Sequence, residues 1–179
     1  MSPYPDLVIM NILEDQIHPG TLILDAGSGP SIGLLRYVRQ KNGRYFSFDN
    51  NQIMLSQQRN SYRTMPGFDL DNHAISQTIA SVTDFPYGDK TFDIINMRFV
   101  LAHIPPQRWK RIIEESVRTA KGKTIISEHD WATLKSTKHP ELIDVIKKTS
   151  TDFAQTMGID LYAGSTVPQA IITDLLWQK

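Results

Sequence analysis

Short apolar runs alternate along the chain with segments in which apolar residues recur every three or four positions. The apolar runs predict five strands, at 21–25, 44–49, 75–81, 92–97 and 124–127. The segments with helical spacing predict helices at 6–17, 32–40, 52–59, 106–119, 140–158 and 168–177. Strands that alternate with helices indicate an α/β fold, with a mostly parallel sheet flanked by helices.

A glycine-rich turn follows the first predicted strand and reads Asp25-Ala-Gly-Ser-Gly-Pro. Gly27 and Gly29 allow the backbone to turn tightly and to approach a ligand, because no Cβ intervenes. Asp49 ends the second predicted strand, where its carboxylate is placed to accept hydrogen bonds from both hydroxyls of a ribose. A tight turn without a ligand is the alternative for the glycines alone, but the strand before them and the acid after them favour nucleotide binding.

The spacing of the turn narrows the class of nucleotide. Ile32 stands where a dinucleotide-binding turn has its third glycine, and no Gly-Lys-Ser/Thr follows, which excludes a P-loop. Asp25 heads the turn, and no cation that would bind phosphate accompanies it. This pattern favours a nucleoside that carries an amino-acid tail over a pyrophosphate.

Four segments in the same order resemble motifs of the class I S-adenosylmethionine-dependent methyltransferases, of the small-molecule branch. Leu24-Asp-Ala-Gly-Ser-Gly-Pro resembles the first motif, although Ser31 stands where a third glycine is common. Phe48-Asp-Asn-Asn-Gln-Ile-Met-Leu resembles the second. Residues 83–95 are similar to the adenine-binding loop and fourth strand, and residues 118–126 to the turn into the fifth strand.

The resemblance implies a Rossmann-like fold and S-adenosyl-L-methionine as the cofactor. It implies that Asp84 accepts the exocyclic amine of adenine and that the backbone of Phe85 meets a ring nitrogen. Because Met97 ends the fourth strand, at the rim where open α/β sheets bind ligands, we expect its backbone near the methionyl part. Alternatives stay open for two residues, because Asp84 could belong to an ordinary turn and Met54 could be core. The implied cofactor-binding residues are Asp25, Gly27, Ser28, Gly29, Asp49, Asn50, Met54, Asp84, Phe85 and Met97.

Methyl transfer is an in-line displacement at a sulfonium, so the protein supplies orientation and, for a protonated acceptor, a general base. His103, after the fourth strand, and His129, after the fifth, are the catalytic candidates, with a structural role as the alternative for each. We expect Glu128, Asp130 and Trp131 to line the acceptor pocket. No Asn-Pro-Pro-Tyr type sequence follows the fourth strand, which argues against methylation of a planar amide or base nitrogen.

Length and composition limit the remaining possibilities. A chain of 179 residues predicts a single domain over 1–179, and 19 basic against 19 acidic residues give no net field to attract nucleic acid or a membrane. The absence of cysteine excludes disulfides and a cysteine-based zinc site, and we expect no metal. No apolar run reaches the roughly 20 residues that span a bilayer, and no signal pattern begins the chain. We therefore expect a cytoplasmic enzyme with a small-molecule substrate.

The end of the sequence bears on assembly. Family members cover the fifth strand with a C-terminal antiparallel strand pair, which this sequence lacks, so we expect a shortened chain or an unusually small member. Residues 124–127 would then form an open sheet edge beside Ile125 and Ile126, and such an edge invites pairing with another chain. We expect a homodimer, with exchange of the 168–177 helix as one route and a heteromeric partner as the alternative.

Three other functions stay open. The chain could be a non-catalytic cofactor-binding subunit, or an enzyme of this fold that uses the cofactor for a reaction other than methylation. An NAD-dependent oxidoreductase is a more distant alternative.

Overall fold

The computed structural model describes residues 10–64, 75–128, 130 and 140–166. Within them five strands form one sheet: β1 (Leu22–Ala26), β2 (Arg44–Asp49), β3 (Ile75–Ile79), β4 (Phe92–Arg98) and β5 (Ala120–Ser127). The longer helices are α1 (Gly33–Gln40), α2 (Gln52–Arg63), α3 (Trp109–Thr119) and α4 (Pro140–Met157). Single 3-10 turns lie at Leu101–His103 and Pro106–Arg108.

The strand order is β3-β2-β1-β4-β5, and β1 pairs in parallel with both β2 and β4. The chain therefore builds the sheet outward from β1 to β3 and then returns to the other side of β1. This reversal is a topological switch point, and parallel α/β sheets bind ligands at the carboxyl ends of the strands there. The mostly parallel sheet with flanking helices confirms the predicted fold class, and β5 is an outermost strand of the described sheet, as expected.

Two compact units divide the chain: Met1–Met97 with Glu114–Ile125, and Arg98–Ile113 with Ile126–Lys179. In the first unit, the apolar stripe of α1 packs with β1, β2 and β4 in one core. That core consists of Leu13, Ile17, Ile23, Leu34, Leu35, Val38, Tyr45, Tyr62 and Ile94. In the second unit the buried Trp109 donates its indole N–H to the carbonyls of Leu101 and Ile104, at 3.1 and 2.9 Å.

The predicted start of the fifth strand was wrong. The strand was predicted at 124–127, several residues after the helix at 106–119, whereas β5 already begins at Ala120. A Cβ on Gly122 would lie 2.6 Å from the carbonyl oxygen of Asp93, so glycine is needed here for a close approach of two strands. The glycine serves the sheet and does not end the helix.

Other boundaries differ by smaller amounts. The second predicted strand has the observed bounds of β2, while α2 runs to Arg63, four residues beyond the predicted end. Leu55, Gln58 and Tyr62 form its buried face, and the buried polar Gln58 interrupts the apolar spacing on which the prediction depended. Residues 10–13 are helical, whereas the rest of the predicted N-terminal helix before them and the 168–177 helix lie outside the described residues.

Among the described residues, no helix is both long and apolar enough to cross a membrane. The same residues contain no group of three or more side chains arranged to hold a metal ion.

Candidate functional site

The glycine-rich turn lies at the carboxyl end of β1. Gly27 and Gly29 have φ of 68° and 57°, and the amides of Gly27 and Ser28 both donate to the carbonyl of Phe48, at 2.9 and 3.1 Å. A Cβ on Gly29 would meet no atom within 4 Å, so the space beside this residue is open. The glycine is needed for its left-handed backbone, and it leaves room for a ligand.

Asp49 ends β2 directly beside this turn. One carboxylate oxygen accepts the amide N–H of Gly29 at 2.9 Å, and the other accepts that of Asn51 at 2.8 Å. Each oxygen keeps a lone pair for a further donor. The structure therefore brings together the glycine turn and the predicted ribose-binding acid.

Asp25 lies beneath the turn as a buried carboxylate. It accepts hydrogen bonds from the hydroxyl of Tyr45 and the side-chain amide of Asn96, each at 2.7 Å. Burial raises the pKa of Asp25 to about 6, while the two hydrogen bonds oppose the rise. Sequence reasoning found Asp25 but did not predict that Tyr45 and Asn96, on the neighbouring strands, are its partners.

A second missed residue, Gln58, connects α2 to the site. Its side-chain amide donates to the carbonyl of Ser31 at 2.6 Å and to the hydroxyl of Tyr45 at 3.3 Å. Its carbonyl oxygen accepts from Ser47 at 3.2 Å and from Gln77 at 2.6 Å. A buried polar network thus holds the segment after the glycine turn. The only sequence signal for this network is that Gln58 lies three residues after Leu55, on the same face of the helix.

Two buried polar atoms near the turn have no hydrogen-bond partner in the described part of the chain: the hydroxyl of Ser28 and the side-chain carbonyl of Asn96. Buried polar groups are normally satisfied, and each exception calls for an explanation. A polar ligand that enters this end of the sheet would supply one.

Asp84 and Phe85 follow β3 on a loop. Asp84 is exposed, and its carboxylate makes no hydrogen bond to any described residue, while its amide donates to the carbonyl of Ser81 at 3.1 Å. The ring of Phe85 is buried edge-on against Phe48, with 4.9 Å between centroids. The amide of Phe85 donates to the carboxylate of Glu115 at 3.1 Å, so this N–H is already engaged within the protein.

The remaining predicted cofactor residues differ in exposure. Met97 has no exposed surface, so its side chain belongs to the core, and the expected contact of its backbone with the methionyl part stays a prediction. Met54 is half-buried on α2, and Asn50 is exposed between β2 and α2. The half-buried position leaves part of Met54 accessible to a ligand.

The second unit contains the catalytic candidate His103, an exposed residue at the end of a 3-10 turn. Glu128 anchors that turn, because its carboxylate accepts the amides of Val100, Leu101 and Ala102 at 2.9, 2.7 and 3.3 Å. Burial raises the pKa of Glu128, and the three amides oppose the rise. Glu128, expected to line the acceptor pocket, thus fixes the backbone that bears His103.

Two other expected pocket or catalytic residues, His129 and Trp131, lie outside the described residues. Asp130 is half-buried.

Phe99, which precedes the anchored turn, has a left-handed φ of 55°, a strained conformation for an aromatic residue. Backbone strain of this kind concentrates at functional segments.

Comparison with known proteins identifies the family. A family model described as "Methyltransferase domain" matches residues 23–123. A glycine/sarcosine/dimethylglycine N-methyltransferase of Actinopolyspora halophila is 28% identical over 136 residues, which are 76% of this chain and 23% of that protein. The chain thus spans about a quarter of the length of this relative.

Solved structures share the fold. A phosphoethanolamine N-methyltransferase 2 of Haemonchus contortus, solved with phosphomonomethylethanolamine and S-adenosylhomocysteine, has a TM-score of 0.69 at 14% identity, over 93% of this chain and 35% of that chain. A magnesium protoporphyrin IX methyltransferase of Synechocystis PCC 6803, solved with S-adenosylhomocysteine, has a TM-score of 0.61 at 19% identity, over 82% of this chain and 60% of that chain.

Proposed function

Since this chain belongs to the methyltransferase-domain family, of the class I S-adenosylmethionine-dependent type, we propose that it transfers a methyl group from S-adenosylmethionine to a small-molecule acceptor. The observation that carries the proposal is the 2.9 Å hydrogen bond between the amide of Gly29 and the carboxylate of Asp49. It joins a nucleoside-type turn to a carboxylate suited to a ribose, at the end of the sheet where such folds bind ligands.

The residues at this end of the sheet fit the cofactor. Asp49 keeps lone pairs for the two ribose hydroxyls, and Gly29 leaves open space beside them. The unsatisfied hydroxyl of Ser28 and the buried acid Asp25 suit the polar, cationic methionyl end. We assign adenine to the side of Asp84, Phe85, Asn50 and Met54, and the methionyl backbone contact to Met97.

The bound cofactor would supply an activated methyl group on a sulfonium, so the protein itself has a limited set of tasks. Asp25 and Asp49 bind and orient the cofactor, and the left-handed glycines let it approach the backbone closely. His103 is proposed as the general base that takes a proton from the acceptor, with His129 as the second candidate. The anchoring of the 3-10 turn by Glu128 supports His103, because a base must be held in a fixed position.

The names of the relatives suggest the class of acceptor. Glycine, sarcosine, dimethylglycine and phosphomonomethylethanolamine are small amines that the matched proteins name or contain. An amine is protonated at neutral pH and must lose that proton before it can attack a methyl group, which is the task proposed for His103. We therefore propose a small amine as the acceptor.

The test is transfer of labelled methyl from S-adenosylmethionine to glycine, sarcosine, dimethylglycine and phosphoethanolamine in turn, with product identified by mass spectrometry. Turnover on one of these amines would support the proposal. Tight binding of S-adenosylhomocysteine without turnover on any of them would instead favour a non-catalytic subunit or another reaction.

We propose that the 179 residues act as one domain, because β4 and β5 each begin in one compact unit and end in the other.

We further propose a homodimer formed at the edge strand β5, since an open edge favours pairing with a second strand. Light scattering over a range of concentrations tests the homodimer, and a monomer throughout would overturn it.

A reducing cytoplasmic compartment suits a chain without cysteine, so we propose that the protein is cytoplasmic. Fractionation of cells that express the protein tests this localisation.

A further inference from the structure

A row of polar side chains crosses the sheet between the apolar core and the glycine turn. Asp25 of β1 pairs in register with Ser47 of β2 and with Asn96 of β4. Ser47 pairs in turn with Gln77 of β3. Residues in parallel register project to the same face of a sheet, so these four side chains lie side by side. Two residues earlier on each strand, the same face carries a largely apolar set that belongs to the core or packs against it: Ile75, Tyr45, Ile23 and Ile94.

Gln58 of α2 has no exposed surface and uses its full hydrogen-bonding capacity at this row. A side-chain amide has two N–H donors and an oxygen with two lone pairs. The oxygen of Gln58 accepts from Ser47 and Gln77. The N–H groups donate to the hydroxyl of Tyr45 and to the backbone carbonyl of Ser31. Of these four contacts, only the one with Ser31, at 2.6 Å, reaches the segment after the glycines.

The glycine segment depends on hydrogen bonds for its position. A Cβ on Gly29 would meet no atom within 4 Å, so packing does not hold the turn beside this residue, and glycine has a large conformational freedom of its own. Two hydrogen bonds supply the constraint. The amide of Gly29 donates to the carboxylate of Asp49 at 2.9 Å. Two residues later, the carbonyl of Ser31 accepts from Gln58.

Pro30 connects these two fixed points. Its ring restricts φ, so few free torsions remain between Gly29 and the carbonyl of Ser31. A constraint on that carbonyl therefore also limits where Gly29 can lie. Both anchors, Asp49 and Gln58, belong to the continuous β2–α2 segment, so this segment determines the position of the turn.

We propose that Gln58 is a positioning residue for the cofactor: by holding the carbonyl of Ser31, it preforms the glycine turn and so raises the affinity for the nucleoside. The inference rests on the proposed function, which assigns the ribose to Asp49. A turn that is ordered in advance spares the ligand the conformational entropy of ordering it.

Calorimetry on the full chain measures the affinity for S-adenosyl-L-homocysteine in the wild type and in Gln58→Met, which keeps a side chain of similar size and removes both N–H donors. We expect binding to be roughly 5–30-fold weaker in the variant, the factor that corresponds to ordering the backbone of one residue. Gln57→Met is the matched control, because Gln57 is the preceding glutamine on the same helix and is exposed. It should leave the affinity unchanged.

A second control separates the contact with Ser31 from the polar network as a whole. Gln77→Met removes one hydrogen bond to Gln58 and leaves the one between Gln58 and Ser31 in place. Both Gln58→Met and Gln77→Met should lower stability in urea unfolding, because each leaves polar groups of the network unpaired. Only Gln58→Met should weaken binding of S-adenosyl-L-homocysteine.

Coupling to Asp49 provides a readout that a purely structural role would not change. In Asp49→Ala the amide of Gly29 loses its acceptor, so the contact at Ser31 no longer fixes the turn at both points. Gln58→Met should therefore weaken binding several-fold less in the Asp49→Ala background than in the wild type. Equal effects in the two backgrounds would overturn the inference.

The remaining outcomes distinguish the inference from the proposed function. No binding of S-adenosyl-L-homocysteine by the folded wild type would overturn the proposed function, and the inference with it. Binding by the wild type with unchanged affinity in Gln58→Met, or with an equal loss in Gln77→Met, would overturn the inference alone.

If Gln58→Met does not fold, a measurement on the wild type decides the question. NMR detects the coupling across the hydrogen bond from the side-chain nitrogen of Gln58 to the carbonyl carbon of Ser31. We expect this coupling in the free chain and, unchanged, in the complex with S-adenosyl-L-homocysteine. Its absence from either state would overturn the inference.

Discussion

The amide of Gly29 and the carboxylate of Asp49 lie 2.9 Å apart, although twenty positions separate them in the chain. The contact forms because β1 and β2 are adjacent parallel strands that end at the same edge of the sheet. One strand supplies a left-handed glycine turn and the other an acid. The proposed cofactor site is built around this pair.

Asp49→Ala should weaken binding of S-adenosylhomocysteine by about 1.5–3 kcal/mol, the range for hydrogen bonds to a charged group. Calorimetry on the wild type and the variant measures the difference. Asp15→Ala, at an exposed acid before β1, is the control and should leave the affinity unchanged. Undiminished affinity in Asp49→Ala would remove the ribose assignment.

Two glycines should respond differently to alanine. Gly29→Ala meets no atom within 4 Å but must adopt a φ of 57°, a left-handed strain of roughly 1–2 kcal/mol. Gly122→Ala would place its Cβ 2.6 Å from the carbonyl oxygen of Asp93, so a strand must move and the loss should be larger. Urea unfolding of both variants gives the order, and a greater loss of stability at Gly29 would contradict the expected one.

Stability should depend on pH through Asp25, because burial raises the pKa of this carboxyl from 3.8 to about 6. Between those values the folded chain retains a proton that the unfolded chain has lost, so the free energy of unfolding contributed by this group falls as pH rises. The penalty is fully present above pH 6 and is on the order of 2–3 kcal/mol. In Asp25→Asn the decline between pH 4 and 6 should be smaller, as measured by urea unfolding at each pH.

His103→Ala should lower turnover roughly 10²–10⁴-fold if this residue is the general base, while the affinity for S-adenosylhomocysteine stays the same. The exposed position of the side chain predicts little change in stability. A variant that keeps full turnover would shift the same test to His129. A loss of stability without a specific loss of turnover would assign His103 a structural role.

The sequence predicted those parts of the site that depend on patterns among residues close together in the chain. The alternation of strands and helices placed Asp49 and the glycine turn at one edge, and β2 has the predicted bounds. The buried partners Tyr45, Asn96 and Glu115 were missed, because each is a polar residue whose hydrogen-bond partner lies far away in the chain. No local spacing distinguishes such residues from exposed ones.

The start of β5 was missed for a related reason. A lysine followed by a glycine after a helix is typical of a helix end. The close approach of Gly122 to Asp93, which makes that glycine part of the sheet, exists only once β4 and β5 are neighbours.

The central proposal is that the glycine turn and Asp49 form a site for S-adenosylmethionine. Titration calorimetry of the purified chain with S-adenosylhomocysteine, and separately with NAD, tests this most directly. We predict saturable one-site binding of S-adenosylhomocysteine that is weakened by Asp49→Ala, and no binding of NAD. Binding of NAD in preference to S-adenosylhomocysteine, or no binding of S-adenosylhomocysteine by a folded chain, would contradict it.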